Sequence, residues 1–387
     1  MKITDCKTYL VGNPWKNWLF SKVETDAGIY GVGEGTLNGF GRTVEAAIHE
    51  LRDFYIGMDP FQIEVITQRM WRDVYSDGGQ IHGCAVSAIE LACWDIIGKS
   101  LNKPVYDLIG GRCHEKLRCY ANGWYRGART PEAFAKNAKR VAKKGYTALK
   151  FDPFGAAWRK TDNADEDLCI EIIAAVREAV GPKVDVLVEG HNRFNGDQAL
   201  RIANRLVPYN PTWFETPVAP QNISAMVEVA RKSPVPIACG EDYYSKQQFA
   251  ELLKHDAVHI IQPEPLFVGG ILATRQIAGM VDAHFGVVAP HSAQGPVCSA
   301  ACVQINAATP NFFIHEIFDE FNMEDAEWER DIVINPPKIK NGHIEISNRP
   351  GLGIDLNWKE IPKHPYKRQN YIPLFKPGWE KREGAGK

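Results

Sequence analysis

VDVLVEG (184–190), TWFET (212–216) and VPIACGE (235–241) share one design, a short run of mostly apolar residues that brings a glutamate to its end. Helical spacing fills the gaps, over Gln198–Leu206 after the first and Ile223–Arg231 after the second. Apolar strands alternating with amphipathic helices indicate a parallel sheet covered by helices. The pattern extends both ways. LRCYAN (117–122) and YTALKF (146–151) precede these runs, and AVHIIQP (257–263), GVVAP (286–290) and NFFIHEI (311–317) follow. Between them lie a helix opened by Thr130-Pro131, EDLCIEIIAAVREAV stopped by Gly181-Pro182, and helices over Lys246–Lys254, Gly270–His284 and Pro296–Ala308. Eight strands and seven helices predict an α/β fold of the closed TIM-barrel type rather than an open doubly wound sheet. No GxGxxG follows any strand, which counts against a dinucleotide fold.

The first third reads differently. Residues 1–60 look like hairpin strands, with a turn at Asp26-Ala27-Gly28, followed by a helix from Thr43 to Phe54. Helices over Pro60–Val74 and Val86–Lys99 follow, then a short piece ending at Gly110-Gly111. The expected organisation is an α+β domain over 1–115, a barrel over 116–330, and a segment over 331–387 that returns to the first domain. That last segment has Pro336-Pro337 and a strand pair around HIEIS (343–347).

Composition narrows the function classes. The 387 residues are 44% hydrophobic and 24% charged, an ordinary globular balance. With 45 basic and 47 acidic residues the net charge is −2, so nothing favours nucleic acid or an anionic membrane as partner. No run of about 18 apolar residues is evident, and Asp5, Lys7 and Pro14 interrupt the region where a leader's apolar core would lie. The nine cysteines are scattered, unlike a disulfide framework or zinc site, and read as reduced core residues of a cytoplasmic protein. Cys298 and Cys302 share a helix face and read as small packing residues, while Lys136–Lys144 is a solvated helix face.

In such a barrel the catalytic groups sit at the C-terminal strand ends. Those ends carry Lys150 and Asp152 on the second strand, then Glu189 with His191, Glu215, Glu241, Glu264, His291 and Glu316 on the third to eighth. From Glu189 onward the steps are 23 to 27 residues, so an ionisable group recurs once per β/α unit. Surface loops would scatter charge without phase. Glu189, Glu215 and Glu241 end adjacent strands, and three carboxylates in one mouth repel unless a cation lies between them. All-oxygen donors select a hard ion, Mg²⁺ first. The competing reading is a salt-bridge network with Lys150 and Arg193. His191, two residues past Glu189, faces the same way on an extended strand. His291 ends the seventh strand, across the mouth from the third. Glu264 is placed to hold one nitrogen of His291 and fix its tautomer. Asp152 and Arg193 are further candidates for contact with a substrate.

This ordered set resembles the enolase superfamily, specifically its mandelate racemase-like subgroup. LACWDIIGKSLNKPVYDLIGG (91–111), Val268-Gly269-Gly270 and APHSAQGP (289–296) also fit that family. Membership implies a (β/α)7β barrel, an N-terminal capping domain and a C-terminal segment packed back on the cap. Where family racemases carry Lys-x-Lys, this chain has Lys150-Phe151-Asp152, so the second lysine base is absent. A histidine two residues past the first metal ligand is typical of the acid-sugar dehydratases of the galactonate and gluconate type. Two family aspartates are glutamates here, Glu189 and Glu264.

The resemblance implies Mg²⁺-dependent dehydration of a sugar acid to a 2-keto-3-deoxy acid. His291 would be the base at C2, His191 the acid at the 3-hydroxyl, Lys150 added positive charge, and Glu316 a hydrogen-bond partner of the substrate carboxylate. Pro14-Trp15-Lys16-Asn17-Trp18 falls where the family places a loop over the mouth, so Trp15, Lys16 and Asn17 are expected at the distal hydroxyls, although both tryptophans could equally be packing. Trp124 and Tyr125 are similarly open. Epimerisation, racemisation or cycloisomerisation of sugar acids is the alternative, and a non-catalytic sensor a weaker one. Family barrels commonly form dimers to octamers, so a homo-oligomer is expected.

Overall fold

A computed structural model describes residues 1–322 and 328–382, without the side chains of Asp319 and Asn322. The N-terminal meander comprises β1 (Ile3–Val11), β2 (Trp18–Thr25) and β3 (Tyr30–Glu34), all antiparallel. Helices α1 (Gly41–Glu50), α2 (Ile63–Arg72) and α3 (Gly79–Leu101) pack on it. The 23 residues of α3 are long and apolar enough to cross a membrane, which the sequence reading did not foresee. Yet α3 is a core helix, almost wholly enclosed by the meander, α1 and the barrel, and begins seven residues before the expected Val86. It needs no lipid, because protein covers nearly all of it, Leu101 at its end being the exposed apolar residue.

After the short helix α4 (Val105–Leu108), the barrel strands run in order: β4 (Lys116–Ala121), β5 (Ala148–Phe151), β6 (Asp185–Glu189), β7 (Trp213–Glu215), β8 (Ile237–Cys239), β9 (Ile260–Ile261), β10 (Val287–Val288) and β11 (His315–Ile317). Each pairs in parallel with its predecessor from β4 to β10, and β11 pairs with β4. A bridge between Val288 and Phe312 closes the ring. Tyr120, Ala148, Leu187, Trp213, Ala238, Ala289 and Ile314 fill the interior below the mouth, so the barrel is a packed core.

The intervening helices are α5 (Pro131–Lys143), α6 (Asn163–Val180), α7 (Gly196–Leu206), α8 (Ile223–Lys232), α9 (Lys246–Leu253), the single turn α10 (Pro265–Val268), α11 (Ile271–Ala283) and α12 (Pro296–Ala307). Side-chain oxygens of Thr130, Asp162, Asn195, Asn222 and Ser245 cap five of the longer ones; of these caps only Thr130 was read from the sequence, and α6 and α7 begin three and two residues before the expected Glu166 and Gln198. Past β11 the described residues hold no eighth barrel helix, only short helical turns such as Asp319–Asn322 and Glu329–Ile332 beside the strands of the tail.

The tail divides its contacts. Ile332, Val333, Leu352, Ile354 and Leu356 join the apolar core of the N-terminal region. The hairpin of Lys338–Lys340 and His343–Glu345, in contrast, pairs antiparallel with β4 of the barrel. The last turns bring Trp379 over the barrel mouth, where it lines the cavity described below.

At the seam, buried acids tie the N-terminal region to the barrel and to the tail. Glu90 on α3 accepts from the first N–H groups of α11, Ile271 and Leu272, both at 2.9 Å, and from Trp94 Nε1. A Cβ on Gly270 (φ +106°) would lie 2.1 Å from the Glu90 carboxylate, so only glycine lets the acid reach the helix end. Glu34 accepts from Val297 and Cys298 N–H at the start of α12. Asp95 accepts from Val32 and Leu352 N–H, both at 3.0 Å, and pairs with Lys99. Gly351 (φ +68°) makes room for it in the same way.

Candidate active site

Glu189, Glu215 and Glu241 meet at the mouth, each with a carboxylate oxygen within 4.8 Å of the others. All three are buried. Lys150 Nζ is the one lysine among them, 2.5 Å from Glu215, 3.2 Å from Glu189 and 3.1 Å from Glu316. Burial pushes the Glu215 carboxyl up to about 8, reinforced by Glu189. Glu241 is held well above the ordinary carboxylate range by burial and by Glu189, Asp242 and Glu215. One ammonium does not balance the set, and the donors are all hard oxygens, so the residues fit a divalent cation. Arg193 takes no part in this network. Its guanidinium is 2.7 Å from Asp152 and donates to Gly155 O and Leu374 O.

His191 reaches the mouth by a route that strand alternation did not anticipate. The strand β6 stops at Glu189, and His191 (φ +45°) and Asn192 (φ +59°) take left-handed conformations. The His191 N–H turns back to donate to Glu189 Oε1 at 2.8 Å. Thr216, directly after Glu215, also has positive φ, +40°. Such strain costs about 1–3 kcal/mol per residue and gathers where surrounding structure dictates side-chain aim.

Each histidine faces a buried acid. His291 Nδ1 lies 2.6 Å from Glu264 Oε2, and His191 Nδ1 lies 2.6 Å from Asp152 Oδ2. Ionised carboxylates only accept, so both Nδ1 atoms carry the proton and each Nε2 remains for chemistry. Burial lowers the His191 imidazole despite Asp152. Burial would also lower His291, but Glu316 and Glu264 more than offset it and hold that imidazole above its usual value. The Asp152 partnership went unread in the sequence, where Asp152 figured as a substrate contact. It is fully buried and held by Arg193 and His191. The signal was available, because Asp152 lies two residues past Lys150 on the strand beside that of His191.

A cavity of about 1170 Å³ opens over these groups, lined by Lys150, His191, Glu241 and His291 from the barrel and by Trp15 and Lys16 from the cap. Tyr125 and Trp379 form part of its aromatic wall, whereas Trp124 is packed behind it. Trp15 is both wall and packing, with Trp379 6.2 Å away and the Arg382 guanidinium over its ring. Asn17 and Arg193 do not line the cavity. The Asn17 amide donates to Lys367 O and Asn370 O and ties the tail to the loop, so it is not available to a distal hydroxyl. Glu316 also lies below the wall, accepting from Asn122 Nδ2 and Ser292 N–H, both at 2.8 Å. Although burial opposes it, Lys150 and His291 bring its carboxyl down to about 2. As an anion it accepts only, so contact with a substrate carboxylate would require it to take up a proton first. All nine cysteines are free and all but Cys113 are buried; the Cys298 thiol donates to Glu264 Oε1 at 3.2 Å.

Comparisons with known proteins agree with this geometry. The family model described as mandelate racemase / muconate lactonizing enzyme, N-terminal domain, matches residues 16–110, and the enolase C-terminal domain-like model matches 133–360. D-galactonate dehydratase of Pectobacterium atrosepticum is 33% identical, covering 100% of this chain and 99% of its own. D-gluconate dehydratase of Thermoproteus tenax is 34% identical over 83% of this chain, which spans 64% of that relative's length. A crystal structure of a mandelate racemase/muconate lactonizing enzyme from Sulfitobacter superposes with a TM-score of 0.89 at 31% identity, covering 95% and 96% of the two chains. By sequence, fold and the arrangement of its mouth, the chain belongs to the mandelate racemase/muconate lactonizing enzyme family of the enolase superfamily.

Proposed function

We propose that this protein dehydrates a sugar acid of the aldonate class to its 2-keto-3-deoxy acid. The observation that carries the reading is the pair of histidine–carboxylate partnerships on β/α units on opposite sides of one acidic mouth. Dehydratase names among full-length relatives support it. Mg²⁺ is the cation proposed for Glu189, Glu215 and Glu241; when bound it would offset negative charge building on the substrate carboxylate. His291, its Nδ1 proton held by Glu264, takes the C2 proton on Nε2. The electron pair left at C2 forms the C2–C3 double bond as the C3–oxygen bond breaks. His191, its Nδ1 proton held by Asp152, must first take up a second proton on Nε2 against the effect of burial, and gives that proton to the departing hydroxyl, which leaves as water. The enol then tautomerises to the keto acid. Lys150 adds positive charge beside the carboxylate end. Trp15 and Lys16 bring the cap to the cavity that holds the sugar chain.

Gluconate and galactonate share configuration at C2 and C3 and differ at C4, so the reacting groups serve both. Discrimination then falls to the upper wall. The boundaries 1–115, 116–330 and 331–387 are retained as cap, barrel and tail, with a cytoplasmic homo-oligomer as the working form; light scattering checks the assembly.

The test separates acid from base. With an aldonate in D₂O, His191→Asn exchanges the C2 hydrogen while forming little keto acid, and His291→Asn does neither, each losing at least ~10²-fold in turnover. Normal dehydration by His191→Asn together with exchange by His291→Asn would overturn the assignment. C2 inversion by the wild type without keto acid would favour an epimerase instead.

A further inference from the structure

Lys16 and His291 belong to different halves of the molecule, yet one side chain connects them. Lys16 Nζ donates to Gln294 Oε1 at 2.7 Å and to Ala293 O at 2.7 Å. Gln294 Nε2 donates at 3.3 Å to Glu264 Oε2, the oxygen that also receives His291 Nδ1. The other oxygen of Glu264 accepts from Leu266 N–H at 3.0 Å and from the Cys298 thiol. Chemistry fixes the direction of the amide. An ammonium only donates and a carboxylate only accepts, so Oε1 must face Lys16 and the NH₂ group must face Glu264. An amide is suited to bridging such a pair because it presents an acceptor at one end and a donor at the other.

All three side chains are buried, Lys16 at 4%, Gln294 at 6% and Glu264 at 0% exposure, so these bonds are little weakened by water. The bridge is not what attaches the loop. Trp18 Nε1 donates to Gln294 O at 3.1 Å and Lys16 to Ala293 O, and these contacts hold the loop backbones together without the amide.

We propose that Gln294 is a positioning residue for the His291–Glu264 pair, and that Lys16 influences proton abstraction through it rather than by holding substrate. This rests on the reading of His291 as the C2 base. Two donors on Oε2 fix the rotation of the Glu264 carboxylate, which keeps the imidazole aimed at C2. The Lys16 charge polarises the amide and strengthens its bond to Glu264. The base is therefore fully ordered only while the cap loop is seated.

Gln294→Met and Lys16→Met, both close in shape, are compared singly and together, with Trp18→Phe as the control that removes one other hydrogen bond between the loops while Lys16 and Asn17 keep the cap loop seated and the bridge intact. Gln294→Met is expected to lower kcat and C2 exchange about tenfold with KM nearly unchanged. Lys16→Met should fall in the same direction by about threefold or more, and the double variant should be no slower than Gln294→Met, because neighbours in one network are non-additive. Trp18→Phe should stay within about twofold of wild type. In metal-free, substrate-free protein, the imidazole N–H resonance that disappears in His291→Asn should shift in Gln294→Met and in Lys16→Met.

Multiplying losses, a change confined to KM in Lys16→Met, or an equal loss in Trp18→Phe would each overturn the proposal. So would an unmoved resonance. If wild type turns over no aldonate, the proposed activity fails, while the resonance still decides the bridge.

Discussion

Two sets of buried acids occupy this chain and are partnered in different ways. Glu34, Glu90 and Asp95 at the seam each face backbone N–H groups, at helix starts for the two glutamates and at strand and tail for Asp95. Glu189, Glu215 and Glu241 at the mouth face one another. The residue types and the burial are alike, so neither decides the role. What differs is the partnering: each seam acid meets two backbone N–H groups, whereas the three mouth acids crowd together around Lys150, with one N–H from His191 on Glu189 and Trp213 Nε1 on Glu215. Burial raises the carboxyls of Glu90 and Asp95 as it does those of Glu215 and Glu241, but the seam acids are spaced apart on backbone donors, whereas the mouth acids add mutual repulsion that a bound cation would relieve.

The largest effect should come from the mouth. Glu241→Gln removes a charge the fold does not balance, so turnover is expected to fall about 10²–10³-fold or more while the metal-free variant melts above metal-free wild type. Chelation should abolish wild-type turnover, and Mg²⁺ should restore it and raise the melting temperature. Calorimetry beside an activity assay checks both. A lower melting temperature for the metal-free variant would break the distinction between the two sets.

Asp152 sharpens the comparison, being a buried acid supplied with Arg193 yet attached to a reacting group. Asp152→Asn is expected to lower keto-acid formation about 10–100-fold while C2 exchange persists, as measured in D₂O. Equal loss of both would place Asp152 with the structural acids.

At the seam the sign of the effect reverses. Gly270→Ala drives a Cβ into the Glu90 carboxylate at a strained φ, and should cost about 2 kcal/mol or more in denaturant unfolding with kcat reduced far less.

The smallest effect is a pH dependence. Burial raises the Glu90 carboxyl from 4.5 to about 7 in spite of its three donors. A pKa raised by folding means the folded state binds more protons between those values, so its contribution to stability is complete below about 4.5 and is lost as pH rises through about 7. Wild type should therefore lose melting temperature across that window more steeply than Glu90→Gln.

The barrel was legible because its strands are short apolar runs in a regular beat, with amphipathic helical spacing between them and one start marked by Thr130-Pro131. The mouth was legible because that beat put Glu189, Glu215, Glu241 and His291 at equivalent strand ends. Phase along the chain says nothing of side-chain partners across it, so Asp152 and Arg193 were assigned to substrate when they serve His191. Asn17 was misread for a similar reason, since its partners lie some 350 residues downstream. The seam acids left no sequence signal beyond glycines far from them. For His191 the position was right and the reason wrong, because a left-handed turn and not strand alternation aims it.

The way α3 is enclosed has a consequence for how the chain is made. Its apolar surface packs in a core that includes Leu266, Ile271 and Val297, and that Leu352, Ile354 and Leu356 complete. A ribosome that has released the first 115 residues has exposed a greasy 23-residue helix that the meander and α1 can already cover in part, while the face toward Leu266, Ile271 and Val297 has partners still untranslated. During synthesis at about 5–20 residues per second, that surface waits many seconds for its cover. The N-terminal region can thus complete its core only after the barrel and the tail have been made, although it is the first to emerge.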